Sequence, residues 1–167
     1  MLTFQPAKDR WKLGFKEAVL ESFDYLRSYG LECVQADVTF VRYDSPKTFV
    51  NVFHGRGSYE LGVEIGQHGD PVRSIAKGLY VLLGWRGAPE RRLPSGESLL
   101  FTSDIREGVQ ELVPKMAALF RKYADSLLRG DEQAFESLDL YYVEEARRTA
   151  ERYAGGTPPF GQRFGSR

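Results

Sequence analysis

A single cysteine, Cys33, leaves this chain unable to form an intramolecular disulfide. A reducing, cytoplasmic setting is the natural reading of that scarcity. Histidine is almost as scarce, with only His54 and His68, and no Cys or His pair stands at metal-ligand spacing, which argues against a structural zinc site. An excess of charge is missing too: 23 Lys and Arg balance 23 Asp and Glu. That balance argues against nucleic acid or an anionic membrane as the main partner. No apolar run is long enough to cross a bilayer, and Met1–Arg10 has no apolar signal-peptide core. The expectation is a cytoplasmic protein with no metal and no cofactor.

Familiar catalytic patterns are equally absent. Gly55-Arg56-Gly57 lacks the later glycine and the strand-to-helix setting of a dinucleotide fingerprint. There is no Walker pattern and no serine between single-spaced glycines. Cys33, at a strand start, reads as a small buried hydrophobe and not as a reactive thiol. Asp37, Glu60 and Glu64 share a strand face, but charged residues on a half-exposed strand are commoner than oxygen ligands.

What the chain does have is an aromatic content of 13% and a stretch, Glu32 to Gly66, rich in Val, Phe and Tyr with two turn signals. It predicts a three-stranded antiparallel meander: Cys33–Tyr43, Thr48–His54 and a third strand around Tyr59–Ile65. In the third, Tyr59, Leu61, Val63 and Ile65 alternate with Ser58, Glu60, Gly62 and Glu64, the period of a strand with one buried face. A three-residue loop after Asp44 and a tight turn at Arg56-Gly57 would set Phe40 opposite Val52 and Val52 opposite Leu61. One face then holds Val34, Ala36, Val38, Phe40, Val50, Val52, Tyr59, Leu61, Val63 and Ile65, with His54 at its rim. The second face mixes Gln35, Asp37, Thr39, Asn51, Glu60 and Glu64 with Val41, Tyr43, Phe49 and Phe53. It is too apolar for a solvated face and too polar for a core, so either a helix covers its aromatics or it binds something.

Around the meander the spacing predicts helices. Trp11, Phe15, Ala18, Val19, Phe23 and Leu26 form a stripe over Asp9–Tyr29, capped by Gly30. Asp70-Pro71 can open a short helix that ends at Gly84, with Leu79–Leu83 as a strand in the competing reading. Residues 85–98 read as a long loop carrying Arg86, Arg91 and Arg92, suited to an anion or simply solvated. A helix over Asp104–Leu128 should kink or break near Leu112-Val113, because Pro114 removes a backbone donor. Asp131 caps a last helix reaching Ala154. Residues 1–154 therefore read as a single α+β domain and 155–167 as a disordered tail.

The run Arg56-Gly57-Ser58-Tyr59-Glu60-Leu61 after a strand, with Leu127-Leu128-Arg129-Gly130-Asp131 before Phe135, resembles a group of small uncharacterised bacterial α+β proteins over residues 9–140. The resemblance implies a bacterial cytosolic protein, immunity- or accessory-like in outline, with no catalytic residue to carry over. On the residues themselves the expected function is a non-enzymatic protein-binding module. Its surface is the second face and hairpin tip: Tyr43, Phe49, Phe53, Arg56, Glu60 and Glu64. The alternative is a small-ligand or enzymatic site where His54, Arg56 and Glu60 surround one turn. Self-association through the second face remains open.

Overall fold

The computed structural model describes residues 9–55, 57–69, 75–92 and 101–154. The architecture is α+β, but its sheet has five antiparallel strands in sequential order. They are β1 (Glu32–Ala36), β2 (Phe40–Asp44), β3 (Thr48–His54), β4 (Leu61–Gln67) and β5 (Lys77–Gly78). The expected first strand is two strands. Asp37 N–H donates to Phe40 O at 2.7 Å, turning the chain at Val38-Thr39. Nothing in that tip is Gly or Pro, so the turn carried no strong signal. A register shift between Cys33 and Gln35 interrupts β1, the kind of bulge that edge strands commonly carry.

Faces follow from register. In β3 and β4 they fall as expected, although Val52 pairs with Val63 and His54 with Leu61, two residues away from the predicted pairing. A two-residue slip preserves parity. In β2 parity is reversed: Phe40 pairs with Phe53, and Val41 with Val52. The cause is the turn after Asp44. Ser45 N–H donates to Thr48 O at 2.9 Å, leaving Pro46 and Lys47 alone at the tip in place of a three-residue loop. Val41 and Tyr43 consequently enter the core, while Val34 and Val38 lie 59% and 43% exposed.

The first helical region is also subdivided. A 3₁₀ turn at Arg10–Leu13 ends at Gly14, whose φ of 68° suits glycine. Helix α1 spans Phe15–Ser22, and a second 3₁₀ stretch, Asp24–Tyr29, closes on Gly30 at φ 80°. Phe15, Ala18, Val19, Phe23 and Leu26 are buried as the stripe predicts, whereas Trp11 is 63% exposed and its neighbour Arg10 is buried.

Helix α2 (Leu79–Trp85) follows β5 directly, so Gly78 stands at its N-terminal boundary and not inside it. The Asp70-Pro71 opening lies outside the described residues. Of the expected kink or break, the break is absent: helix α3 (Arg106–Leu128) continues through Pro114. Val109, Val113, Met116, Ala117 and Phe120, on both sides of the proline, are all buried. Their burial offsets the roughly 3 kcal/mol cost of an interior proline. Asp131 Oδ1 accepts from Gln133 N at 3.0 Å and Ala134 N at 3.3 Å, capping α4 (Glu132–Ala154). Side chains of α1, α2, α3 and the start of α4 join Val41, Tyr43, Val50, Val52, Leu61, Val63 and Ile65 in one core cluster. The lead-in 1–8 and the tail 155–167 lie outside the described residues, and no helix among the described ones is long and apolar enough to cross a membrane.

Candidate functional site

The face of the sheet turned away from that cluster is built from cross-strand rows. Phe40, Phe53 and Gly62 are partners in one row; Arg42, Asn51 and Glu64 in the next; Asp44, Phe49 and Gly66 in the third. The outer rows share one device. A Cβ on Gly62 would lie 2.1 Å from the Phe53 ring, and one on Gly66 would lie 2.2 Å from the Phe49 ring. Each ring therefore lies across the strand in the space a side chain would fill, which buries aromatic area outside the helical core cluster. Phe49 is only 7% exposed yet is not part of the helical core cluster.

The middle row is a polar ladder. Arg42 Nη1 donates to Asn51 Oδ1 at 3.2 Å, and Asn51 Nδ2 donates to Glu64 Oε1 at 2.9 Å. The Arg42 guanidinium also sits 4.3 Å over the Phe49 ring and donates from Nε to Asp44 Oδ2 at 3.3 Å. His68 bonds the other oxygen of Asp44 and packs against Phe49. Burial works against the Asp44 carboxylate, but hydrogen bonds from His68 and Arg42 hold its pKa below the usual carboxylate range.

Of the expected surface residues, Phe49, Phe53 and Glu64 share this face, and exposed Glu60 continues its parity beside a bridge to Thr102. Tyr43 does not belong there. It is 2% exposed among the helices, its hydroxyl donates to Val19 O at 3.5 Å, and burial pushes its pKa up. The parity reversal in β2 put Tyr43 in the core and brought Arg42 and Phe40 to the face instead. Arg56 lies outside the described residues. The sequence pattern could have revealed Arg42 only through the correct length of the Ser45–Thr48 turn.

The other predicted site resolves differently. His54 is 2% exposed. Its Nε2 donates to Ser103 O at 2.8 Å, which fixes the tautomer, and Nδ1 accepts from Arg10 Nη1 at 3.1 Å. Arg10 Nη2 donates to Gly55 O at 2.7 Å, and its guanidinium lies 4.0 Å over the Tyr59 ring. Burial, followed by the neighbouring Arg10 charge, lowers the His54 pKa against the lifting effect of the Ser103 bond. Both ring nitrogens are occupied, so the imidazole joins the start of the chain, the end of β3 and the approach to α3. Tyr59 holds φ 54°, the only positive φ outside glycine among the described residues. Glu60 points elsewhere, on the exposed side, and does not converge with His54.

Two arginines of the 85–98 stretch, Arg86 and Arg91, bind the chain's own helices, and Arg92 is exposed. Arg86 stacks on Trp85 at 3.9 Å and donates to Tyr123 O and Ser126 Oγ on α3. Arg91 stacks on Tyr80 at 4.3 Å and reaches the Tyr141 hydroxyl on α4 at 3.3 Å. Among the described residues, no group of three or more His, Cys, Asp or Glu is arranged to hold a metal ion. No protein-family model, curated protein or solved structure matches the chain.

Proposed function

We propose that this chain is a non-enzymatic binding module of the accessory or immunity type, taking another protein on the second face of its sheet. One observation carries the reading. The face presents the half-buried Phe40 and Phe53 and the arginine Arg42, with Phe53 held by the glycine beneath it and Arg42 by the polar ladder and by the buried Phe49 ring under its guanidinium. Aromatic residues and arginine are the groups enriched at the energetic centres of protein interfaces. Holding them in one geometry before contact removes part of the ordering cost of association. The alternative, a ligand or catalytic site at His54, Arg56 and Glu60, has lost its base, because both nitrogens of His54 are committed within the fold.

Photo-crosslinking in the native cell tests this. A benzoylphenylalanine in place of Phe40 samples the face, and one in place of Leu140, exposed on α4, serves as the control. The expected result is a discrete adduct with another protein from position 40 and none from position 140. No adduct from position 40, or the same adducts from both, overturns the proposal. An adduct with a second copy of the chain would mean self-association and overturn it as well.

A further inference from the structure

A groove of about 530 Å³ lies between α2, the 3₁₀ turn Pro89–Arg91 and the second half of α4. We propose that the chain's own segment Thr157-Pro158-Pro159-Phe160 docks in it, running back along α4. The inference stands apart from the binding function above and uses a different surface.

The chemistry of the groove suits a proline-bearing stretch of extended chain. On α4, Tyr142, Ala146, Thr149, Ala150 and Tyr153 recur at helical spacing and form one side. Tyr80 of α2 stands on the other. Tyr80, Tyr142 and Tyr153 are 41%, 39% and 38% exposed, an open aromatic cluster of the kind that marks a binding groove. Arg91 stiffens the wall by stacking on Tyr80 and donating to the Tyr141 hydroxyl. Aromatic-lined grooves take polyproline helices, which are already extended before they bind and keep their backbone carbonyls unpaired. Arg91 Nε, buried without a hydrogen-bond partner among the described residues, is a donor that such a carbonyl would satisfy.

Position and length name the occupant. α4 ends at Ala154, one residue after Tyr153, so the segment begins at the end of the groove. Gly155-Gly156 comes next, and glycine permits the left-handed backbone that turns a chain back after a helix. Pro158-Pro159 then favours an extended path over a helical one. From Gly156 to Phe160, four steps of about 3.1 Å cover roughly 12 Å. From Ala154 back to Ala146, eight steps of about 1.5 Å cover the same distance. The prolines therefore pass Tyr153 and Ala150, and Phe160 reaches the level of Ala146, one turn from Tyr142. The covalent link holds the segment at an effective concentration of about millimolar order, so a free proline-rich peptide must compete with it.

The test compares the full-length ¹⁵N-labelled protein with its Pro158→Ala/Phe160→Ala variant, whose substitutions lie after α4 and leave the core untouched. The amides of Tyr80 and Ala146, remote in sequence from the changes, should shift. Amides of 146–154 should exchange about threefold faster in the variant. In the unsubstituted protein the Phe160 ring should show NOEs to the Ala146 methyl group. Ala146→Arg, which fills the groove from an exposed position, should abolish those NOEs while core amides of α3 keep their protection. No shift at Tyr80 and Ala146, or NOEs from Phe160 to another surface, overturns the inference. Shifts that grow with protein concentration would place the segment on a second copy and overturn it too. So would a free polyproline peptide that binds the groove equally well with and without the two substitutions, since the groove would then be open to a partner.

Discussion

His54 was legible as a rim residue of the buried face, but its role was not. The decisive partner is Arg10, a charged residue beside an apolar stripe that gives no sign, from spacing alone, of crossing to the end of β3. Since the folded protein holds His54 neutral, its pKa lies below the ordinary value of about 6.5. The unfolded chain then binds the proton more readily, and the neutral histidine's contribution is complete above about pH 6.5. It is lost progressively as the pH falls toward the folded value. Urea unfolding across pH 5 to 7.5 should show stability declining below about pH 6.5, with a shallower decline in His54→Gln. That variant should also be less stable at neutral pH by about 1–3 kcal/mol, because it disturbs a buried hydrogen-bonded group. An unchanged pH profile would mean that His54 titrates alike in both states. The glycines under the rings give a second residue-scale expectation. Gly62→Ala and Gly66→Ala should each cost about 1–3 kcal/mol through overpacking. Phe49→Leu should recover part of the loss in Gly66→Ala, a non-additivity that a double-mutant cycle measures directly.

Among the elements, β3 and β4 could be read because β4 alternates clearly and a register error of two residues leaves faces unchanged. β2 could not, since one residue in the Ser45–Thr48 turn decides which side Tyr43 and Arg42 occupy. The bend at Val38-Thr39 left a hairpin looking like one long strand, and Gly14 was hidden within an apolar stripe that continues across it. α3 shows the converse: the local rule for Pro114 was sound, but burial on both sides of the proline outweighed it. A contact between elements also supplies a test. Lys77 on β5 is 5% exposed, and its Nζ donates to Asp139 on α4. Asp139→Ala should destabilise the fold by about 2 kcal/mol, less than for a fully buried pair because Asp139 is partly solvated. The double variant Lys77→Met, Asp139→Leu should be more stable than Asp139→Ala. Chemical denaturation decides the order, and the reverse ranking would show that the pair does not anchor α4.

At the scale of the whole molecule, stability is distributed unevenly. α3 contributes eight buried residues, whereas α4 contributes only Phe135 and Leu138, both in its first third. Beyond Leu140 the last helix still meets Arg91 through Tyr141 and Glu145, and it carries charge pairs of its own, such as Arg147 with Glu144 and Arg148 with Glu144, but exposed pairs of this kind contribute little. Hydrogen exchange should therefore be faster for amides of 143–154 than for those of 113–127. Equal protection would show that the end of α4 is anchored by more than these pairs. The α+β class could be inferred from the chain because the helical stripes and the strongest strands are local signals. The sheet's full extent could not, since β5 is only Lys77-Gly78 and is recognisable through its pairing with β4.

Phe49 and Phe53 fill the space of missing β-carbons on a neighbouring strand and stand outside the helical core cluster. Drift in the interior can therefore proceed without redrawing the outward relief of the sheet. Exchanging a few outward side chains could likewise redirect specificity on an unchanged scaffold.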